Sequence, residues 1–202
     1  MRHLHCAPAH PQSSTDQMLP RLLLLGGLLG LATPAGAATI SVSCATAQLI
    51  NAINTANANG ETDTLNLAAG CTYTFTAPDN YWYGPNALPA ISSTITVAGN
   101  GAIIERDAGA ATPFRLFYVS GGLTLGLNAG SLTLKNLTLR NGYAKGGNSY
   151  SGGGGLGAGG AIFNQGDLTL DRVTLTANTA EGGGIGSAYG GGGIGQDAQG
   201  DN

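Results

Sequence analysis

The chain is poor in charge: Asp, Glu, Lys and Arg make up 9% of its 202 residues, and the net charge is -3. No basic patch stands out, which excludes nucleic acid as an expected partner. Histidine is confined to His3, His5 and His10, and there is one tryptophan. Glycine is abundant at 35 residues, but no G-X-Y period exists, so a collagen-like chain is excluded. The longest apolar run, Leu19 to Leu31, is flanked by Arg21 and is too short for a membrane span, which needs about 20 apolar residues.

That run has a different reading. Thr33-Pro34-Ala35-Gly36-Ala37 follows it, and Ala35-Gly36-Ala37 has the small-x-small form of a signal cleavage site. Residues 1–37 therefore read as a secretory signal, with a buried core helix as the alternative. The residues before Met18 do not resemble a signal n-region, so Met18 is the expected translation start. Cleavage after Ala37 removes all three histidines, and with them His-based triads and His metal sites. Cys6 is removed as well. Cys44 and Cys71 remain, an even pair in an exported chain, and a disulfide between them is expected. Two free buried thiols are the alternative.

What is present is a repeat. Ser131-Leu132-Thr133-Leu134-Lys135-Asn136-Leu137-Thr138-Leu139 is followed 36 residues later by Asp167-Leu168-Thr169-Leu170-Asp171-Arg172-Val173-Thr174-Leu175. Aliphatics alternate, two polar residues intervene, and the alternation resumes. Period-two alternation gives a strand with one dry face. Recurrence at fixed spacing predicts a coil stacked on its own copy. Leu132, Leu134, Leu137 and Leu139 are expected to face inward, with Leu168, Leu170, Val173 and Leu175 above them. Thr133 over Thr169, and Thr138 over Thr174, are expected on the outside.

Upstream, Leu49, Ile50 and Ile53 form a narrow apolar stripe within Cys44 to Ala58, predicting a short helix that Asn59-Gly60 ends. Strands are expected at Thr64–Leu67, Thr72–Phe75, Thr94–Val97, Ile103–Ile104 and Phe114–Val119, and Leu123-Thr124-Leu125 leads into the repeated unit. Gly99-Asn100-Gly101 reads as a tight turn. Ala77 to Pro89 reads as a loop. Gly-rich excursions repeat too: Gly152 to Gly157 resembles Gly190 to Gly195. These are expected either to be mobile or to lie flat on the solenoid side. Residues 38–90 then form an N-terminal cap and 91–202 the coils. A third copy of the repeat should open at Asp201-Asn202, and no C-terminal cap is visible, so the coil region reads as incomplete there.

Gly159-Gly160-Ala161-Ile162-Phe163-Asn164, Leu168-Thr169-Leu170 and Val173-Thr174-Leu175-Thr176-Ala177-Asn178 together resemble the repeat of bacterial right-handed parallel β-helix proteins. The style is that of the polymorphic outer-membrane protein repeat, a GGAI element followed by an aromatic-or-aliphatic-x-x-Asn element. Leu175-Thr176-Ala177-Asn178 fits the second element; in the first copy Asn141 is displaced by one position. Cys44 to Phe75 resembles the N-terminal cap of exported β-helix proteins, including those of pectate-lyase type. The resemblance implies an all-β, right-handed parallel β-helix with a short capping helix and long Gly-rich loops. It is specific for fold and weak for activity.

Three sets of residues are candidates for chemistry. Glu105-Arg106-Asp107 has the residue types of a β-helix lyase or hydrolase site; a solvated corner with a local ion pair is the favoured alternative, because no second carboxylate cluster is evident. Gly192-Gly193-Ile194-Gly195-Gln196-Asp197 matches the start of a Ca²⁺-binding nonapeptide, with Gln199 in place of the aliphatic residue. That motif works in tandem, so a lone copy makes Asp197 a weak Ca²⁺ ligand candidate and no cofactor is expected. Tyr81-Trp82-Tyr83 could stack on sugar rings or pack as a lid, with the lid favoured. The expected role is that of an exported protein, secreted or on the bacterial surface or outer membrane, that adheres to glycans or other surface proteins without catalysis. A polysaccharide lyase or glycoside hydrolase is the alternative, and a truncated gene product a third reading.

Overall fold

In the computed structural model, residues 37–123, 126–149, 153–184 and Ile194 are described. The expected signal segment, Thr124-Leu125, Asp197 and the chain's last residues lie outside them. The chain is mostly β, with parallel strands stacked as a β-solenoid of about three turns and one short helix.

The order is β1 (Thr39–Val42), α1 (Thr46–Asn59), β2 (Thr62–Leu67), β3 (Thr72–Phe75), β4 (Thr94–Arg106), β5 (Phe117–Val119), β6 (Ser131–Arg140), β7 (Tyr143–Lys145), β8 (Ile162–Asn164), β9 (Asp167–Thr176) and β10 (Thr179–Glu181). Every strand pairing between these elements is parallel. The main sheet runs β1-β2-β4-β6-β9, with β3 on the second half of β4. Two smaller sheets, β7-β10 and β5-β8, supply the remaining side.

Alternation dictates the columns. Ile95, Leu132 and Leu168 share one register position, and Val97, Leu134 and Leu170 the next but one. On the second arm Tyr73, Ile104, Leu139 and Leu175 align. Thr133 lies over Thr169's position and Thr138 over that of Thr174, as the alternation predicts. Leu132 is fully buried, and Leu168 packs partly buried against the core. Each fully buried leucine contributes about 1.5–3 kcal/mol, which several stacked layers must supply to offset chain entropy.

Between the two arms the chain turns without leaving the sheet. Asn100, Asn136 and Arg172 take left-handed backbone conformations there, at φ 52°, 49° and 54°. Gly99-Asn100-Gly101 is therefore not a reversing turn: β4 passes through it, and the ladder slips between Ala98 and Ala102. The extra residues are absorbed as a bulge. Phe114–Val119 is strand only over its second half, because the Leu116 and Phe117 N–H groups both donate to the Ala161 carbonyl.

α1 closes the N-terminal side. It buries Leu49, Ala52, Ile53 and Ala56, and ends at Gly60 in the left-handed conformation. Cys44 and Cys71 form a disulfide, with their Cα atoms 5.6 Å apart, tying the helix entry to the start of β3. Asp63 is fully buried; it accepts from the Ala38 N–H at 3.2 Å and the Asn59 amide at 2.8 Å, clamping β1 and the helix end together.

The aromatic-or-aliphatic-x-x-Asn element has a mechanical reading. The Asn178 side chain reaches into the preceding coil. Its Oδ1 accepts from the Gly142 N–H and its Nδ2 donates to the Leu139 carbonyl, both at 2.9 Å. Two backbone groups at a strand end are thus satisfied by one side chain. Lower down, Asn100 also reaches the preceding coil, donating to the Leu67 carbonyl and to the Asn66 side chain.

The described part of the first Gly-rich excursion lies flat on the solenoid. Gly154, Gly157 and Gly160 press against Gly183, Glu181 and Thr179 in turn, so residues 154–160 run antiparallel to β10. Spacing of three is the repeat of a polyproline-II-type chain. At each of these glycines a methyl group would overlap a backbone carbonyl of the facing segment. The Gly155 N–H donates to Gly147 at 2.7 Å, and the Gly183 N–H to Gly155 at 2.9 Å. Glycine here permits backbone-to-backbone contact that no other residue allows.

Candidate functional site

The Glu105-Arg106-Asp107 cluster does not converge. Glu105 faces out from β4 and accepts from Thr74 on the coil below at 2.7 Å and from Arg140 on the coil above. Burial works against its ionisation, but the Arg140 and Thr74 hydrogen bonds outweigh it and hold the carboxyl below its ordinary value. Arg106 points elsewhere: it donates to the Ala110 and Thr112 carbonyls and lies over the Phe114 and Tyr143 rings. Asp107 accepts from the Gly109 N–H at 2.7 Å. Each of the three holds a piece of local backbone or a neighbouring coil.

The Tyr81-Trp82-Tyr83 loop is built differently. Asn86 is buried and gathers it: its Nδ2 donates to Asn80 Oδ1 and to the Trp82 and Gly84 carbonyls, at 2.8–2.9 Å. Asn80 in turn donates to the Leu88 carbonyl. Tyr83 sits in a left-handed conformation at φ 50°, unusual for a bulky residue, followed by Gly84 at φ 104°. The loop is folded back on the β5-β8 sheet. The Tyr83 ring lies 5.5 Å from Tyr118 and 5.7 Å from Phe163, and the last two stack in register at 6.0 Å. The Tyr118 hydroxyl donates to Gln165 at 2.9 Å. Tyr83 is thus a lid residue, while Tyr81 remains 60% exposed. Tyr81, Tyr83, Gly84 and Ile194 line a shallow pocket of about 280 Å³.

Beneath this cluster lies a residue the sequence pattern did not single out. Arg115 is only 1% exposed, and its guanidinium sits 4.9 Å from the centre of the Phe163 ring. Its Nε and Nη1 have no hydrogen-bond acceptor. Burial lowers its pKa to about 10, so it remains a cation at neutral pH. Asn86, paired with Arg115 across one rung, keeps an unmatched buried Oδ1. Two donors and one acceptor therefore stand without partners on two neighbouring strands of the buried interior. Such groups cost about 1–3 kcal/mol each, more for a charge. A signal existed in the sequence: Arg115 interrupts the apolar run Pro113 to Val119.

Around the corner, Glu181 accepts from Tyr143 and pairs with Lys145 at 3.4 Å. The bond to Glu181 pushes the Tyr143 hydroxyl up from its ordinary value. Among the described residues no group of three or more His, Cys, Asp or Glu could hold a metal ion, and no helix is long and apolar enough to cross a membrane. A scan against protein-family models, a search of curated proteins and a search of solved structures each returned no match.

Proposed function

We propose that this chain is an exported, non-catalytic β-solenoid that binds glycans through the Tyr81–Tyr83 loop. The observation that carries the reading is the exposed Tyr81 ring beside the Tyr83–Tyr118–Phe163 stack. Flat aromatic faces take the apolar faces of sugar rings. A rigid stack beneath them limits the ordering cost of binding.

Secretion or display on a bacterial surface follows from the expected signal and from the resemblance to the polymorphic outer-membrane type repeat. The right-handed coil belongs to the same reading and agrees with the hand that parallel crossovers take in nearly all proteins. The engagement of Glu105 by Arg140 and Thr74 speaks against a free acid or base at that cluster. The test uses Trp82, the sole tryptophan, as an intrinsic probe. Titration with a panel of neutral and acidic polysaccharides should change its fluorescence saturably, and Tyr81→Ala should weaken binding about tenfold. Silence across the panel with folded protein refutes the reading. Release of new reducing ends would transfer it to the lyase or hydrolase class.

A further inference from the structure

Asp63 is out of keeping with its column. It shares a register position with Ile95, Leu132 and Leu168, an inward position that is aliphatic in every later coil. In β2 the same position holds a carboxylate, and none of its surface is exposed. Asp63 accepts from two neutral donors, the Ala38 N–H at 3.2 Å and the Asn59 amide at 2.8 Å. The ion pairs among the described residues join Arg140 to Glu105, Lys145 to Glu181 and Arg172 to Asp171, and none of them reaches Asp63. A carboxylate taken out of water calls for a counter-charge as well as hydrogen bonds.

The Ala38 nitrogen is placed to supply that charge. The Ala38 carbonyl accepts from the Thr64 N–H at 2.8 Å, and Thr39 and Ile40 then pair with Thr64 and Leu65. The β1-β2 ladder thus holds the nitrogen in front of Asp63 Oδ1. Ala37 is exposed and Ala38 half-buried, so solvent lies on the far side of this nitrogen. The bond between these two residues is the one that Ala35-Gly36-Ala37 marks for cleavage. Hydrolysis adds water across that amide and breaks its carbon–nitrogen bond. A carboxylate stays on Ala37, and the Ala38 nitrogen becomes an α-amine that takes up the proton the new acid releases. Such an amine titrates near pH ~8, so it is mostly an ammonium at neutral pH.

We infer that Asp63 is the binding site for the processed chain's own N-terminal ammonium, so that removal of residues 1–37 completes a buried ion pair and locks β1 onto β2. The inference rests on the reading that the chain is exported and cut after Ala37. Before cleavage the Ala38 nitrogen offers Asp63 one neutral N–H. After cleavage the same atom carries a positive charge, and a charge-assisted hydrogen bond is roughly twice as strong as a neutral one. The end of α1 orients the carboxylate for this contact. Asn59 donates its amide to Oδ2, while its own Oδ1 accepts from the Glu61 N–H at 3.0 Å. β1 is an end strand of the main sheet, and β2 is its one neighbour there. A charge at its entry therefore acts on the strand that has least to hold it. A start displaced by one residue would put the ammonium on exposed Ala37 and leave Asp63 with neutral donors alone.

The test begins with the full chain exported from a bacterial host and the released protein sequenced from its N-terminus; the expected first residue is Ala38. Urea unfolding then compares the released protein with a chain that keeps Ala37 as its first residue. The Ala38 start should raise the folding equilibrium constant about tenfold, and hydrogen exchange should place the added protection in β1. Asp63→Asn removes the charge at nearly constant shape and should cancel the difference between the two starts. Asp63→Ile continues the column of Ile95 and should cancel it as well, which keeps the comparison open if the amide variant does not fold. Equal unfolding of the two starts overturns the inference and leaves the export reading standing. So does a difference that survives both Asp63 substitutions. A chain that is not released, or that begins at another residue, overturns the cleavage site and the inference together.

Discussion

Leu134 and Leu170 are the same residue in the same column, one layer apart. Alanine substitution at each isolates what a covering layer contributes. Leu134 is fully enclosed, with Val97 below and Leu170 above. Its truncation removes the transfer free energy of the lost carbons and leaves a cavity between two held layers, about 3–4 kcal/mol. Leu170 is 42% exposed. Roughly half of its transfer term is present, and water enters the space left behind, so no sealed cavity forms. The expected loss is about 1 kcal/mol. The assay is urea unfolding of both variants, with the slope m required to stay constant. Equal losses would refute the half-open setting of Leu170, because they would require a full layer above β9. A Leu134→Ala loss under about 2 kcal/mol would refute the column itself.

Gly157→Ala should drive a methyl into the Glu181 carbonyl and free residues 153–160 from β10, whereas Gly153→Ala, with nothing within 4 Å of the added carbon, should not; limited proteolysis of the excursion separates the two. Ala177 sits at φ 51°. Ala177→Gly should therefore stabilise the chain by about 0.5–1 kcal/mol, read as a higher urea midpoint. Glu105 titrates below its ordinary value of 4.5, so its contribution is present above that pH and fades as the pH falls below it. Arg140 is 41% exposed, which limits the effect to under about 1 kcal/mol. Glu105→Gln should flatten stability against pH in that acid window and leave the slope above it unchanged. Replacing Cys44 and Cys71 by serine opens a loop whose ends are 27 residues apart, and thermal unfolding should register a loss of about 3–4 kcal/mol.

The two aliphatic arms were legible because a period of two has one meaning in a chain this poor in charge. Their register was legible as well: the 36-residue spacing brings Leu132 to Leu168 and Leu139 to Leu175 with no shift. The α1 stop at Gly60 and the Cys44–Cys71 bridge were equally local matters. What was not legible depends on contacts between coils of unequal length. Nothing near Tyr83 in sequence announces Tyr118 or Phe163, since the three rings come from three different coils. Asp63 reads as one polar residue among threonines until Ala38 and Asn59 are placed against it. The spacing of Gly154, Gly157 and Gly160 is visible in the sequence, but its meaning needs the facing β10 backbone.

These differences share one cause, the division of labour among the sides of the solenoid. On the two arms the step from Thr138 to Thr174 matches that from Leu132 to Leu168, so β9 lies on β6 without a shift, and a slip of one residue on either arm would turn its aliphatic face outward. On the remaining side the constraint is relaxed. The Tyr143 N–H donates to Phe114 and the Ala161 carbonyl accepts from Leu116, so the whole excursion between Tyr143 and Ala161 enters where a single residue, Arg115, separates the contacts below. The ladder resumes immediately beyond it, with Phe163 beside Tyr118. An insertion at that point changes what surrounds the aromatic stack without moving one leucine of the core. The side that tolerates added chain is therefore the side that carries Tyr83, Tyr118, Phe163 and Arg115, and a recognition surface placed there can vary while the arms hold the coil.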